Sequence, residues 1–286
     1  MEQRLFSDFE SQTAEEWKAK LIADLKGKPY EDLLWENLGL KGKPFYTKTD
    51  LPETLPQLSK LHTQPEAFGN RNWTNYQFIA VNDVKEANKV ALLALENGAD
   101  SLLFDIKELP NFILLLKDIQ LNYCQVSFES EELATDLIYK EYINYIDNLK
   151  IERSAITGFI SGMGIYFQTE TPSLKTIMVK SSAYNDDLPK QIATQLADLI
   201  TVIDNSSVNA TNIFGCTAFA IELGKDYFGE IAHHRALRLS LQKLAHSYGL
   251  TSSEPMIISI SPDWSEAIDD PHSFMLQATT QAMSAI

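Results

Sequence analysis

Asn212–Gly249 reads NIFGCTAFAIELGKDYFGEIAHHRALRLSLQKLAHSYG, and this run decides the fold. Its first part, Asn212 to Ala220, is apolar, short and free of proline, which predicts a buried strand rather than a helix. A polar break follows at Glu222 to Asp226. Beyond it Phe228, Ile231, Ala232, Ala236, Leu239 and Leu244 recur at steps of three and four, the period of an amphipathic helix. Gly249 stands where a helix C-terminus favours glycine. Strand, polar turn and long helix make half of a βαβ crossover.

The same alternation runs outward through most of the chain. Phe78–Val81 predicts a strand, and Asp83 caps a helix with Ala87, Val90, Ala91, Ala94 and Leu95 on one face and Gly98 at its end. Strands follow at Ser101–Ile106, Cys124–Phe128, Ala155–Ile160, Thr176–Val179 and Met256–Ile260. Helices are predicted at Pro110–Gln120, Glu131–Leu149 and Leu188–Ile203, and Pro271 opens a last one. Strands alternating with helices give parallel pairing through right-handed crossovers. A doubly wound sheet and an eight-stranded barrel both satisfy that rule, but no G-x-G-x-x-G follows the first strand. The expected fold is therefore α/β, a TIM-like (β/α)8 barrel lacking its eighth strand within these residues, over 71–286. Residues 1–70 differ. Thr13 and Glu16 form a capping-box pattern, the helix stops near Gly27-Lys-Pro29, and Pro44–Gly69 carries four prolines. That segment reads as an extended arm, suited to wrapping its own domain or a partner.

Composition narrows the function classes. The 286 residues are 44% apolar and 22% charged, ordinary for a globular protein, and no apolar run approaches a membrane span. Met1 to Leu5 lacks the plan of a signal peptide. Cys124 and Cys216 lie far apart in apolar runs, so buried thiols and a cytoplasmic location are expected. The net charge of −15 argues against nucleic acid, whose phosphates need clustered cations. It leaves room for a phosphorylated small molecule or for a protein partner with a basic face.

Few side chains propose chemistry by themselves. His233 and His234 are adjacent, whereas helical metal pairs want a spacing of three or four, so at most one is expected to face inward. Arg235 and Arg238 share a helix face and could hold phosphate or carboxylate, or pair with acidic residues at a subunit boundary. Asp186-Asp187 could serve as acid and base, but they precede a helix and read as caps. Asp105 ends the second strand, where barrel active sites are built. Gly162-Met-Gly164 has no Lys-Ser/Thr after it and reads as a tight turn, not a phosphate cradle.

Several stretches carry a family resemblance in the same order along the chain. They are Trp17 with Asp24-Leu-Lys-Gly-Lys-Pro-Tyr-Glu31, then Pro44-Phe-Tyr46 with Asp50-Leu51. Arg71-Asn-Trp73, Lys85-Glu-Ala-Asn88 and Tyr227-Phe-Gly-Glu-Ile-Ala232 with Arg235 and Arg238 come next. Asp270-Pro271 with Thr279-Thr-Gln-Ala-Met-Ser-Ala285 closes the series. Together they resemble the substrate barrel of the methylmalonyl-CoA mutase family, and most of all its small (beta) subunit type. The resemblance implies kinship with enzymes that bind adenosylcobalamin and run a radical 1,2-shift on a CoA thioester.

The departures from the family pattern are equally specific. Catalytic members follow the fifth strand with G-Y-H-x-x-E-A-G, whose His donates to the thioester carbonyl. Here the stretch is Ser181-Ser-Ala-Tyr-Asn-Asp-Asp-Leu188, the His position falls near Ala183, and Tyr184 stands beside it. After the seventh strand the family carries H-x-Q-T-S-x-W, where this chain has Ile258-Ser-Ile-Ser-Pro-Asp-Trp264. The D-x-H-x-x-G motif that ligates cobalt has only Asp270-Pro-His272-Ser-Phe-Met275 as a mimic, better read as a helix cap. The resemblance thus implies no catalytic residue, no metal and no cofactor on this chain, with adenosylcobalamin on a large catalytic partner in a heterodimer. Arg71, Arg235, Arg238, Tyr184 and Asp105 remain as substrate-binding candidates. The rivals are a CoA-ester-binding or regulatory barrel without mutase chemistry, and a barrel enzyme of different reaction using Asp105, Asp187 and the arginines.

Overall fold

The computed structural model describes residues 12–37, 39–50, 73–181, 187–251, 255–262 and 271–285. The chain divides into two compact units, Met1–Thr63 with Asp186–Pro189, and Gln64–Asn185 with Lys190–Ile286.

In the smaller unit, α1 (Ala14–Asp24) starts on the expected capping box: the Glu16 amide donates to Thr13 Oγ1 at 3.2 Å and the Thr13 amide to Glu16 Oε2 at 2.8 Å. Two orphan donors of the first turn are thereby satisfied. A hairpin that the apolar pattern does not announce follows, β1 (Trp35–Asn37) against β2 (Leu40–Gly42), antiparallel. Gly39 at the turn has φ +75°, and a Cβ there would press on the Asp187 carboxylate. Trp17 stacks on Phe45 at 4.6 Å. Of the arm, only residues up to Asp50 are described, and Lys48–Asp50 form a single 3-10 turn.

The larger unit is α/β with parallel pairing throughout. Its strands are β3 (Tyr76–Ala80), β4 (Ser101–Asp105), β5 (Gln125–Ala134), β6 (Gly158–Met163), β7 (Leu174–Lys175), β8 (Ile177–Lys180), β9 (Thr217–Glu222) and β10 (Met256–Ile260). One sheet has the order β3-β4-β5-β6-β7 and the other β8-β9-β10, so the strands follow chain order without reversal. Thr176 separates β7, which bonds only to β6, from β8, which bonds only to β9. The Thr176 amide donates to Cys216 O at 2.9 Å, and that bond moves the chain from one sheet to the other.

The helices of this unit are α2 (Val84–Glu96), α3 (Phe112–Leu115), α4 (Thr135–Asn148), α5 (Leu188–Asp204, whose first two residues belong to the smaller unit), α6 (Ala210–Cys216), α7 (Tyr227–Ser247) and α8 (Pro271–Ala285). Asp83 caps α2, accepting from the Lys85 and Glu86 amides, and Gly98 follows it at φ +98°. Two apolar cores form. Phe104, Phe128, Tyr142 and Phe112 centre the first, with Phe128–Tyr142 edge-to-face at 5.0 Å and Phe112–Phe128 at 5.3 Å. Such pairs add about 0.5–1.5 kcal/mol beyond their buried area. Ile177, Val179, Leu199, Phe219 and Leu241 form the second.

Several sequence expectations are corrected here. Asn212–Ala220 is not one strand: α6 ends at Cys216 and β9 begins at Thr217. The Asn209 side chain accepts from the Asn212 amide at 2.9 Å, which starts a helix that a periodicity count over nine residues cannot separate from a strand. The helix expected over Pro110–Gln120 is the four-residue α3, and Asp118 at φ +64° turns the chain away. β5 runs on to Ala134, so α4 starts four residues later than expected. The strand expected at Ala155 begins at Gly158, after a 3-10 turn at Arg153–Ala155. On α2, Ala87 and Ala91 are buried while Val90 is exposed. The largest correction is α7, whose buried face is Glu230, His233, His234, Leu237, Leu241 and Ala245, with Phe228 outside at 77% exposure. Both cysteines are free, buried thiols, and burial pushes Cys124 up to about 11. No helix among the described residues is long and apolar enough to cross a membrane.

Candidate functional site

Alternation along β5 sorts its side chains. Val126 and Phe128 enter the first apolar core, while Gln125, Ser127 and Glu129 occupy the opposite face. Register then lines Ala80, Asp105, Glu129 and Ser161 in one row across β3, β4, β5 and β6, at the strands' C-terminal ends. In parallel α/β folds that end of the sheet is where ligands bind. Asp105 and Glu129 are half-buried neighbours. Burial raises the Glu129 pKa, Asp105 and Glu131 raise it further, and Lys180 at the end of β8 opposes them. The row is therefore acidic, with Lys180 as the cation that reaches it electrostatically.

Beside the second sheet, polar groups on α7 are buried. Glu230 Oε1 accepts from the Gly224 amide at 2.8 Å, clasping the loop after β9. His234 Nδ1 donates to Glu230 O at 2.8 Å, and its Nε2 lies 2.8 Å from Ser259 Oγ on β10. Burial lowers the His234 pKa, and Arg238 and His233 oppose its protonation as well. The neutral ring then accepts the Ser259 hydroxyl proton. His233 is buried with neither ring nitrogen hydrogen-bonded among the described residues, 3.5 Å from Glu230 Oε2. The expectation that at most one of the two histidines faces inward is overturned. The helix turns so that Gly224 after β9 and Ser259 on β10 meet Glu230 and His234 of its polar face.

Of the substrate-binding candidates, Asp105 stands at the strand ends as expected, beside Glu129, on which Lys180 acts. Arg235 and Arg238 are half-buried on α7, near His234 rather than in the acidic row. Arg71 and Tyr184 lie outside the described residues, as does Ala183. Asp187 precedes α5, the position read as a cap. The turn expected at Gly162-Met-Gly164 is corrected: Gly162 and Met163 are the last residues of β6, Gly162 lies against Leu133 O, and the chain bends only at Gly164, with φ +78°. His272 is exposed on the first turn of α8. Among the described residues no cluster of three or more His, Cys, Asp or Glu side chains could hold a metal. Sequence reading missed Glu129 and Lys180, although polar residues at every second position from Gln125 pointed one residue past the expected end of that strand.

A parallel sheet whose C-terminal ends carry the polar groups defines the class, and comparison with known proteins supplies the family. The sequence profile described as Methylmalonyl-CoA mutase matches residues 130–286, more than half of the chain. The chain belongs to the methylmalonyl-CoA mutase family. It is similar to the Methylmalonyl-CoA mutase small subunit of Porphyromonas gingivalis, 27% identical over 325 residues, which covers 99% of this chain and 52% of that one. It is also 40% identical over 80 residues to the mitochondrial Methylmalonyl-CoA mutase of Macaca fascicularis, and 39% over 80 residues to that of Homo sapiens. Those matches cover 26% of this chain and 11% of each enzyme. The chain thus spans about half the length of the small subunit it matches.

Proposed function

We propose that this chain is a non-catalytic small (beta) subunit that holds or positions a large catalytic mutase subunit in a cytoplasmic heterodimer. The partner would carry the isomerisation between methylmalonyl-CoA and succinyl-CoA. The observation that carries the reading is β10, where Ile258 and Ile260 take the places of the family's polar pair. Ile258 is half-buried and Ile260 is 40% exposed at the strand's C-terminal end, and neither hydrocarbon can hydrogen-bond a thioester or a carboxylate. Asp105 and Glu129 on the same rim would repel the free carboxylate of either acyl group.

The reading includes the barrel. Strands in unbroken chain order support it, with the split at Thr176 inside the wall. It also places adenosylcobalamin on the partner. His272 sits exposed in a helix's first turn.

Pull-down of the tagged chain from its native extract tests the proposal. A large mutase subunit retained in near-equal amount is the expected result. A chain that emerges alone, or one that turns over methylmalonyl-CoA by itself, overturns it.

A further inference from the structure

The helix α8 is turned inside out. Its buried residues are Gln281 and Ser284, with Gln277 half-buried on the same side, and Gln281 Nε2 donates to Leu223 O at 3.4 Å. The opposite face is apolar, with Met275 68%, Leu276 73% and Met283 56% exposed. Steps of three and four put Met275, Thr279, Ala282 and Met283 on one side of the helix, with Leu276 at its edge. The threonines add no free hydroxyl to it. Thr279 Oγ1 donates to Met275 O at 2.6 Å and Thr280 Oγ1 to Leu276 O at 2.8 Å, each within its own helix. A contiguous apolar strip in water, rich in methionine, marks a contact face.

Charge decides which partner fits. Pro271–Ala285 contains no Asp, Glu, Lys or Arg, whereas every other described helix of eight or more residues contains several. The whole chain carries −15, so two copies repel wherever their acidic surfaces meet. A helix face without charge is where that repulsion is least. A partner of opposite charge would be drawn to acidic surface, which this face does not offer. The face is also its own complement. Laid antiparallel about Thr279, Met275 of one copy opposes Met283 of the other and Leu276 opposes Ala282, with the small residues at the centre letting the helices approach. Opposed helix dipoles favour the same orientation.

We propose that α8 pairs with α8 of a second copy of this chain, antiparallel, with Thr279 on the two-fold axis. Such a contact uses the same patch on both copies and closes at two. A helix of 15 residues is about 22 Å long, so one helix pair sits at the low end of stable interfaces, which begin at roughly 1,200 Å². The dimer is accordingly weak, with a Kd on the order of 10 µM. Because both copies carry the same net charge, added salt tightens it by screening their repulsion. The inference stands on α8 and the net charge and does not depend on the subunit reading, which concerns a different partner.

Sedimentation equilibrium of the full chain, at concentrations spanning that Kd, tests it. The expected mass rises reversibly from 32.2 kDa toward twice that value, and rises at lower concentration in high salt than in low. Thr279→Lys sets two like charges face to face on the axis and should weaken the dimer about tenfold or more, although it lowers the net charge of each copy. Thr279 is exposed, so the variant folds, and a melting curve checks it. Both native thiols are buried, so Thr279→Cys provides a clean cross-link, expected to form under oxidation much faster than that of Val90→Cys on the exposed side of α2. A chain that stays monomeric, as it would if the face served only a different protein, overturns the proposal. So does a dimer that salt loosens, a folded Thr279→Lys protein that dimerises like the parent, or cross-linking at Thr279→Cys no faster than at Val90→Cys.

Discussion

Beneath β4 and β5 the buried side chains are Phe104, Phe112, Phe128 and Tyr142, a dry aromatic cluster held by shape. Beneath the first half of α7 they are Glu230, His233 and His234, and on α8 the buried residues include Gln281 and Ser284. The two regions bury polar and apolar groups in opposite ways, although both are helices on a parallel sheet. In the first, helix faces follow hydrophobic area. In the second they follow hydrogen bonds to strand ends and the loop after β9, with Glu230 on Gly224, Gln281 on Leu223 O and His234 beside Ser259 of β10. An unmade bond in such a region costs more than a made one contributes, which makes His233, with neither ring nitrogen bonded, the weak point of this face.

The contrast is broken most directly by substitution. Phe128→Ala, in the dry core, should cost about 3–5 kcal/mol in urea unfolding, because lost contacts and a residual cavity add. A much smaller loss would mean that the aromatic cluster is loosely packed. Glu230→Ala should cost about 1–3 kcal/mol, since the Gly224 amide loses its acceptor. No change in midpoint would show that the loop after β9 is held some other way.

pH sharpens the comparison. The folded-state pKa of His234 is lowered by burial, so the unfolded chain binds its proton more readily. Stability is then complete above the ordinary value of 6.5 and is lost as pH falls from there through the folded pKa, with a slope of up to about 1.4 kcal/mol per pH unit. Thermal melts between neutral and mildly acidic pH should show the drop, and His234→Gln should reduce it. The smallest effect is expected at His233, whose ring nitrogens make no hydrogen bond. His233→Leu should leave the unfolding midpoint unchanged or raise it by up to about 1 kcal/mol, because a buried orphan becomes hydrocarbon. A clear loss would mean that the Glu230–His233 approach is worth more than its 3.5 Å implies.

Much of the architecture was legible residue by residue. Met256–Ile260 and the helix opened by Pro271 lie where pattern and capping put them, as do the Thr13 and Asp83 caps. The family, too, was legible in spaced motifs, and the profile match over 130–286 agrees. Less was legible of the site. Asp105 could be placed from its strand end, but its neighbour Glu129, and Lys180 that acts on Glu129, come from strands 24 and 75 residues away by sequence number. The face of α7 misled because Phe228, Ile231 and Ala232 have the right period and the wrong direction.

What the sequence determined by itself was whatever three or four neighbouring residues can decide: caps, glycine-permitted reversals, strand alternation and helix period. Only the tertiary structure decided which face of α7 turns inward, where Thr176 passes the chain between sheets, and that Lys180 shares a field with Glu129. The physical reason is range. A capping bond closes within one turn of chain, whereas burial of Glu230, His233 and His234 depends on acceptors and donors that other elements bring to them.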